Sequence, residues 1–370
     1  MRKIIGLTVS VVFLVTVLST YAEVIPEITL SGGYTDNLFN DTSSFGDSYI
    51  TVSPNLKYYP SSQVEMAFSG AYTTYDSASL SNLSGSAAIT IIPESKNEKL
   101  NFMISGGLSG LNYDSEIYEA YNRWGAEADF TMSYNVTPGV IFRSGASLGK
   151  TGYPNSPSGD SEALGVFAGL NFTPFGSNSL NLEAGYSLQR YVTGLDTSVV
   201  TNGRRQSLSV EGEKSKFQVA NFSARYSRPF GVRTGFSAYF SQKYFAKDVE
   251  SIIYGFSVDY LSPWYNLWDG WSAGANIKNY PGKSFILELG GSYTYKNYVP
   301  NLDVIGESIV IEQRDDERSV AYVRIQRPFS FSNGNLIRPT VQFSWVDNSS
   351  DLVEYDVSYY DITASLTFKF

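Results

Sequence analysis

Two carboxylates two positions apart, Glu127 and Asp129, are the kind of pair that shares acid and base work on a glycosidic bond. Residues i and i+2 share a face of any extended strand, so in a β-rich chain that spacing alone carries little. A denser group is Arg314-Asp315-Asp316-Glu317-Arg318, whose three consecutive acids suggest calcium. The spacing is not that of an EF-hand loop and the loop glycine is missing, so a solvated loop is the simpler reading. The glycine pairs Gly106-Gly107 and Gly290-Gly291 would cradle a phosphate only if a helix followed, and none does. They read as places where strands bend or where an aromatic ring lies across a neighbour. The chain has no His and no Cys. Ser–His chemistry, His or thiolate metal sites and disulfides are thereby removed, and the expectation is a protein without catalytic residues, bound metal or cofactor.

What remains is a set of charges of both signs at alternating positions. By parity Glu65, Glu127, Asp129, Glu183, Asp259 and Glu288 fall on the polar face of their strands. Arg143, Arg225, Lys243, Lys278, Lys296 and Arg324 do the same. These charges either pair across neighbouring strands and solvate a wall, or set up a field that orients a charged or sugar-like solute. The expected lumen-lining set is Glu127, Asp129, Arg143, Glu183, Arg225, Lys243, Glu288 and Arg324.

The elements that must position them show best in the last stretch. From Tyr360 to Phe370 every even position is apolar or aromatic, and from Asp361 to Lys369 every odd position is polar. Strict period two argues a strand with one greasy and one wet face. The same alternation recurs along the chain, for instance Trp124, Ala126, Ala128, Phe130 and Met132 against Glu127, Asp129, Thr131 and Ser133. In a bilayer every backbone group must be paired, so a spanning sheet has to close, and lipid-facing and lumen-facing residues then alternate.

The N-terminus fits export: Arg2-Lys3 precede an apolar run from Ile4 to Leu18, and Thr20-Tyr21-Ala22 offers a cleavage site, giving a signal peptide over 1–22 and a barrel over 23–370. With 28 Tyr, 23 Phe, 32 Gly and 14 Pro, the composition is β-rich with frequent turns. A soluble β-sandwich is the bland alternative, but so many aromatics suit two interfacial girdles better, with Tyr58, Tyr59, Tyr72, Tyr75, Tyr134, Phe172 and Tyr191 at strand ends. Net charge −9 without an extended basic cluster argues against nucleic acid.

The expected fold is all-β, one transmembrane antiparallel up-and-down barrel of about eighteen strands, with sixteen as runner-up. The count turns on the middle, where Gln206 to Glu213 and Phe217 to Ser227 are either one strand or two, and further strands are expected at Ser251 to Tyr260 and Trp271 to Asn279. An even count puts both termini on the periplasmic side, which favours the split. The longest loop, about Val299 to Arg318, is expected to fold over or into the mouth.

The succession Ser31-Gly32-Gly33-Tyr34-Thr35-Asp36-Asn37-Leu38-Phe39, a short polar loop, then Ser53-Pro54, resembles the opening hairpin of a family of bacterial outer-membrane β-barrels often linked to exopolysaccharide production and export. The closing strand, with Leu366, Phe368 and Phe370, resembles the C-terminal signal such proteins present to the barrel assembly machinery. The resemblance implies an outer-membrane location and a conduit for an exported polysaccharide, with outer-membrane lipid, that machinery, the polysaccharide and periplasmic export components as partners. A general or solute-selective porin is the alternative from the same architecture, and a structural or adhesive anchor the alternative from another class.

Overall fold

A computed structural model describes residues 23–370 except 39–44, 79, 156–159, 174–176, 192–194, 202–203, 211–214, 247–266, 283, 300, 306–307 and 313. The expected signal peptide over 1–22 and the expected strand at Ser251 to Tyr260 lie outside these residues.

Sixteen strands of the described residues make one wall. They are β1 Glu23–Thr35, β2 Asp47–Ser61, β3 Val64–Tyr75, β4 Ser81–Ile91, β5 Leu100–Tyr113, β6 Arg123–Thr137, β7 Val140–Gly152 and β8 Ser161–Phe172. There follow β9 Ser179–Tyr191, β10 Ser215–Phe230, β11 Thr234–Phe245, β12 Trp268–Asn279, β13 Ile286–Tyr298, β14 Asp315–Gln326, β15 Leu336–Ser350 and β16 Val357–Lys369. Each pairs antiparallel with its neighbour in sequence, and β1 pairs with β16, so the sheet closes on itself. A two-residue piece, Phe329–Ser330, adds to the edge of β15.

Among the described residues the wall therefore has sixteen strands, the runner-up count, and not eighteen. The 206–213 segment is no wall strand: Arg204–Val210 pairs with Leu195–Thr201 as a separate two-stranded ribbon, and the wall resumes with β10. The expected loop near 299–318 holds a second ribbon, Asn301–Ile305 with Ser308–Glu312, and the wall resumes at Asp315 within the expected loop. Both ribbons lie in connections at the end of the barrel opposite the chain termini. Several of the turns at the terminal end are tight. Pro138 and Gly139 join β6 to β7, and Gly139 sits at φ +87, where a side chain would also crowd Thr173. Long loops at one end and tight turns at the other match the extracellular and periplasmic ends of an outer-membrane barrel.

Alternation has the meaning the sequence suggests. Leu108, Ile50 and Leu148 are 64%, 63% and 58% exposed, and all fall on one face of the sheet. Phe217 and Val219, on the other face, are only 2% exposed. Bulky apolar side chains mostly face outward because the solvent there is lipid, and the inner face is left mainly to Ser, Thr, Gly and charge, with Phe217, Val219 and a few other apolar groups packed near the long-loop end. Outward aromatics pack across strands, with Trp271 and Tyr293 ring centroids 5.2 Å apart and Tyr34 and Tyr360 6.2 Å apart. Tyr58, Tyr72, Tyr134 and Phe172 share this outer face. Tyr59 and Tyr75 do not: register puts them inward with Lys57 and Tyr49, and the Tyr49 and Tyr75 rings lie 5.9 Å apart.

Candidate functional site

The inner wall divides into two arcs of different chemistry. From β2 to β8 small and hydroxylated residues predominate, with Lys57, Glu65 and Arg143 among them, and a recess of about 840 Å³ is bounded there by Ser53, Ser69, Ser86, Ser109, Thr151 and Ser161 among others. Hydroxyls pair directly across this arc, Thr51 with Thr73 at 2.9 Å and Ser69 with Ser86 at 2.6 Å. Three acids stand out of it or beside it. Glu127 on β6 lies between Gly107 and Gly149, and a Cβ at Gly107 would come within 3.2 Å of its Oε1. Asp129 lies between Ser105 and Ser147, and Glu183 on β9 between Gly169 and Ser223. None of the three makes a hydrogen bond or ion pair among the described residues, and Glu127 and Glu183 are exposed. Arg143 on β7 reaches the same Gly169 from the other side and lies 6.0 Å from the Phe167 ring.

The arc from β10 to β16 carries the bases and the aromatics. Lys243 on β11 and Lys296 on β13 both lie opposite Gly270, and their ammoniums sit 4.8 and 5.4 Å from the Trp268 ring. Gly270 has φ +141, and a Cβ there would strike the Tyr295 carbonyl, so the close approach of the two lysine strands at this indole needs glycine. Two like charges at one ring are tolerated because each is also attracted to the π cloud. Lys296 is 8% exposed and in register with Asp316.

Beyond them the mouth is packed. Arg314, just before β14, donates to Asp316 from Nε at 2.8 Å and from Nη2 at 2.5 Å, with Tyr355 3.5 Å and Tyr298 4.5 Å from the guanidinium carbon. Burial opposes the Arg314 charge, but the hydrogen bonds and charge of Asp316 outweigh it, and the guanidinium is held above its ordinary value. Arg318 donates to the Tyr359 hydroxyl at 2.8 Å, and Val346, Val357 and Tyr359 form a small apolar cluster beside it. The charge run read from sequence as a solvated loop is thus a buried pair leading into a wall strand. Among the described residues no group of His, Cys, Asp or Glu could hold a metal ion.

Within the expected lumen set, the structure joins Glu288 and Arg324 in an ion pair. They are opposite one another, with Nη1 and Oε2 3.5 Å apart, and Glu288 also accepts from Tyr322 at 2.7 Å and from Asn276 at 3.1 Å. The Tyr322 ring lies across Gly290, as the glycine pair suggested. Arg225 on β10 lies opposite Tyr239 and donates from Nε to the Ser237 hydroxyl at 3.5 Å, Lys278 lies 5.7 Å from the Tyr280 ring, and Glu65 pairs with Lys57 at 2.9 Å. Asp259 lies outside the described residues. Sequence reasoning missed Trp268, Tyr298, Arg314, Asp316, Arg318 and Tyr355 as one cluster, since nothing in a period of two announces which loops meet.

A closed sixteen-strand sheet with an apolar outside, tight turns at one end and long loops at the other is built for one solvent. The protein is an outer-membrane β-barrel. No family model matches the chain, and no curated protein matches it. Among solved structures, CdiB from Acinetobacter baumannii is similar with a TM-score of 0.52 and 11% identity, over 93% of this chain and 60% of that one. This chain therefore spans less than two thirds of CdiB, and the likeness shows the fold. OprD from Pseudomonas aeruginosa is matched at a TM-score of 0.46 and 8% identity over 94% of this chain and 95% of that one. OpdO from Pseudomonas aeruginosa is matched at 0.47 and 10%, over 95% and 98%.

Proposed function

We propose that the protein is a solute-selective porin, a conduit rather than a catalyst, whose wall orients small hydrophilic solutes. The observation that carries this reading is the placement of Glu127 and Asp129 on β6 and of Arg318 and Arg324 on β14. From β6 to β14 is eight strands, half of the sixteen in the wall. Acids and bases so placed set up a field across the pore, which turns a zwitterionic solute to one orientation and holds each end through loose contacts. The other expected residues, Arg143, Glu183, Arg225, Lys243 and Glu288, shape that field from strands between.

Polysaccharide passage, implied by the opening hairpin, is the second reading, and the hydroxyl-lined arc from β2 to β8 is what favours it, because serine and threonine hydroxyls exchange hydrogen bonds with sugar hydroxyls as they do with water. Leu366, Phe368 and Phe370 are proposed as the strand presented to the assembly machinery.

The two readings separate in one experiment. The paired reversal Glu127→Lys and Asp129→Lys should turn the channel towards anion selectivity in a planar bilayer and slow the entry of a zwitterionic amino acid into liposomes. Changed selectivity with normal surface polysaccharide supports the porin. Lowered surface polysaccharide at unchanged barrel abundance supports the second reading. No conductance in wild type or variant, with surface polymer intact, leaves a plugged barrel or an anchor and overturns both.

A further inference from the structure

On β7 to β10 the outer face carries a mostly basic row of charge at the long-loop end, where β12 to β15 carry the acids Asp269, Asp315, Glu317 and Asp347 instead. Lys150 on β7, Glu162 on β8, Arg190 on β9 and Lys216 on β10 stand directly opposite one another across four consecutive strands. Parity puts all four outward, since Leu148, Leu164 and Leu188 follow on the same face two residues nearer the membrane centre. The row lies at the long-loop end, where the outer leaflet begins. Lys150 is 3.6 Å from Glu162 and 6.0 Å from the Trp124 ring, leaving three cations against one acid. Immediately below it is a recess of about 460 Å³, floored by the small side chains Ala126 and Ala128 and walled by Leu148, Leu164 and Leu188.

A charge on the lipid face is costly at the midplane and tolerated near an interface, and three bases against the single Glu162 leave an excess of positive charge that suits an anionic partner there. The partner has to be anionic at the level of the headgroups and apolar beneath. We propose that this row and recess seat the phosphorylated, acylated glycolipid of the outer leaflet, with a phosphate on Lys150, Arg190 and Lys216 and an acyl chain along the alanine floor. Arg offers a phosphate two parallel donors, and the lysines add compact charge. Glu162 opposes the phosphate and limits the affinity.

The test is native mass spectrometry of the folded full chain in detergent with bisphosphorylated lipid A, dephosphorylated lipid A and phosphatidylglycerol. The wild type should retain bisphosphorylated lipid A in preference to the other two. Lys150→Gln with Arg190→Gln and Lys216→Gln should lower that retention by roughly tenfold or more. Glu162→Gln should raise it, an opposite change that general damage to the barrel would not produce. Equal retention of phosphatidylglycerol by the wild type would overturn the assignment to the glycolipid. Unchanged retention in the triple variant, with the barrel still folded by its heat-dependent gel shift, would overturn the site.

Discussion

Arg314 closes a two-point fork on Asp316, with both side chains buried and the rings of Tyr298 and Tyr355 close to the guanidinium. Removing one partner strands the other charge in an apolar mouth. Arg314→Ala should therefore cost about 3–5 kcal/mol in urea titrations of the barrel in lipid vesicles. Arg314→Met with Asp316→Leu should cost less than the single change, because no charge is then left buried.

The two faces predict an asymmetry. Phe240 and Leu182 both flank Ala224, and Leu366 flanks Leu30, all on the lipid side. Arginine at any of the three should cost about 2–4 kcal/mol near the midplane, and arginine at the neighbouring Ser241, Glu183 or Ser365 much less, in the same folding titration.

Tyr322 contributes twice, with its ring on Gly290 and its hydroxyl on Glu288. Tyr322→Phe keeps the ring and should lose about 1.5–3 kcal/mol, the value of a hydrogen bond to a charged group. In the Glu288→Gln background the loss should shrink, which a double-mutant cycle measures directly.

Lys57 and Glu65 are opposite in kind to the buried fork. Their side chains are largely accessible to water, and a double-mutant cycle should give only about 0.2–1 kcal/mol, falling further as salt is raised.

Phe370 donates its backbone N–H to Pro26 at 3.1 Å, while its ring is exposed. Deleting Phe370 should leave the thermal stability of refolded barrel within a few degrees of wild type but lower the amount assembled in cells. A matching fall in both would mean that the residue matters to the wall and not to delivery.

The facing of the wall was legible from the sequence because side chains on a strand alternate without exception, so Trp124 and Glu127 declare opposite faces from spacing alone. The strand number was not. Leu208 and Val210 alternate with Ser207 and Ser209 as in a wall strand, yet Arg204–Val210 pairs with Leu195–Thr201, and period two cannot tell a ribbon from a wall. The mouth was least legible, since Arg314 meets Tyr355 and Lys243 meets Lys296 only through contacts between distant segments. The outward row was readable in principle: continuing the parity of β7 by one step past Gly149 puts Lys150 on the lipid side.

The Thr29 and Thr367 hydroxyls are 3.0 Å apart across the seam between β1 and β16, though 338 positions apart in the chain. No other neighbouring pair in the wall spans so much sequence, so this pairing has the largest loop to close and the least local help in forming. Until it forms, β1 and β16 are two raw edges, each able to add a foreign strand. A half-finished wall is therefore an aggregation hazard and not a resting place. Wall formation should run as one concerted event in the membrane, and a lesion anywhere along the seam should slow assembly more than it loosens the finished protein.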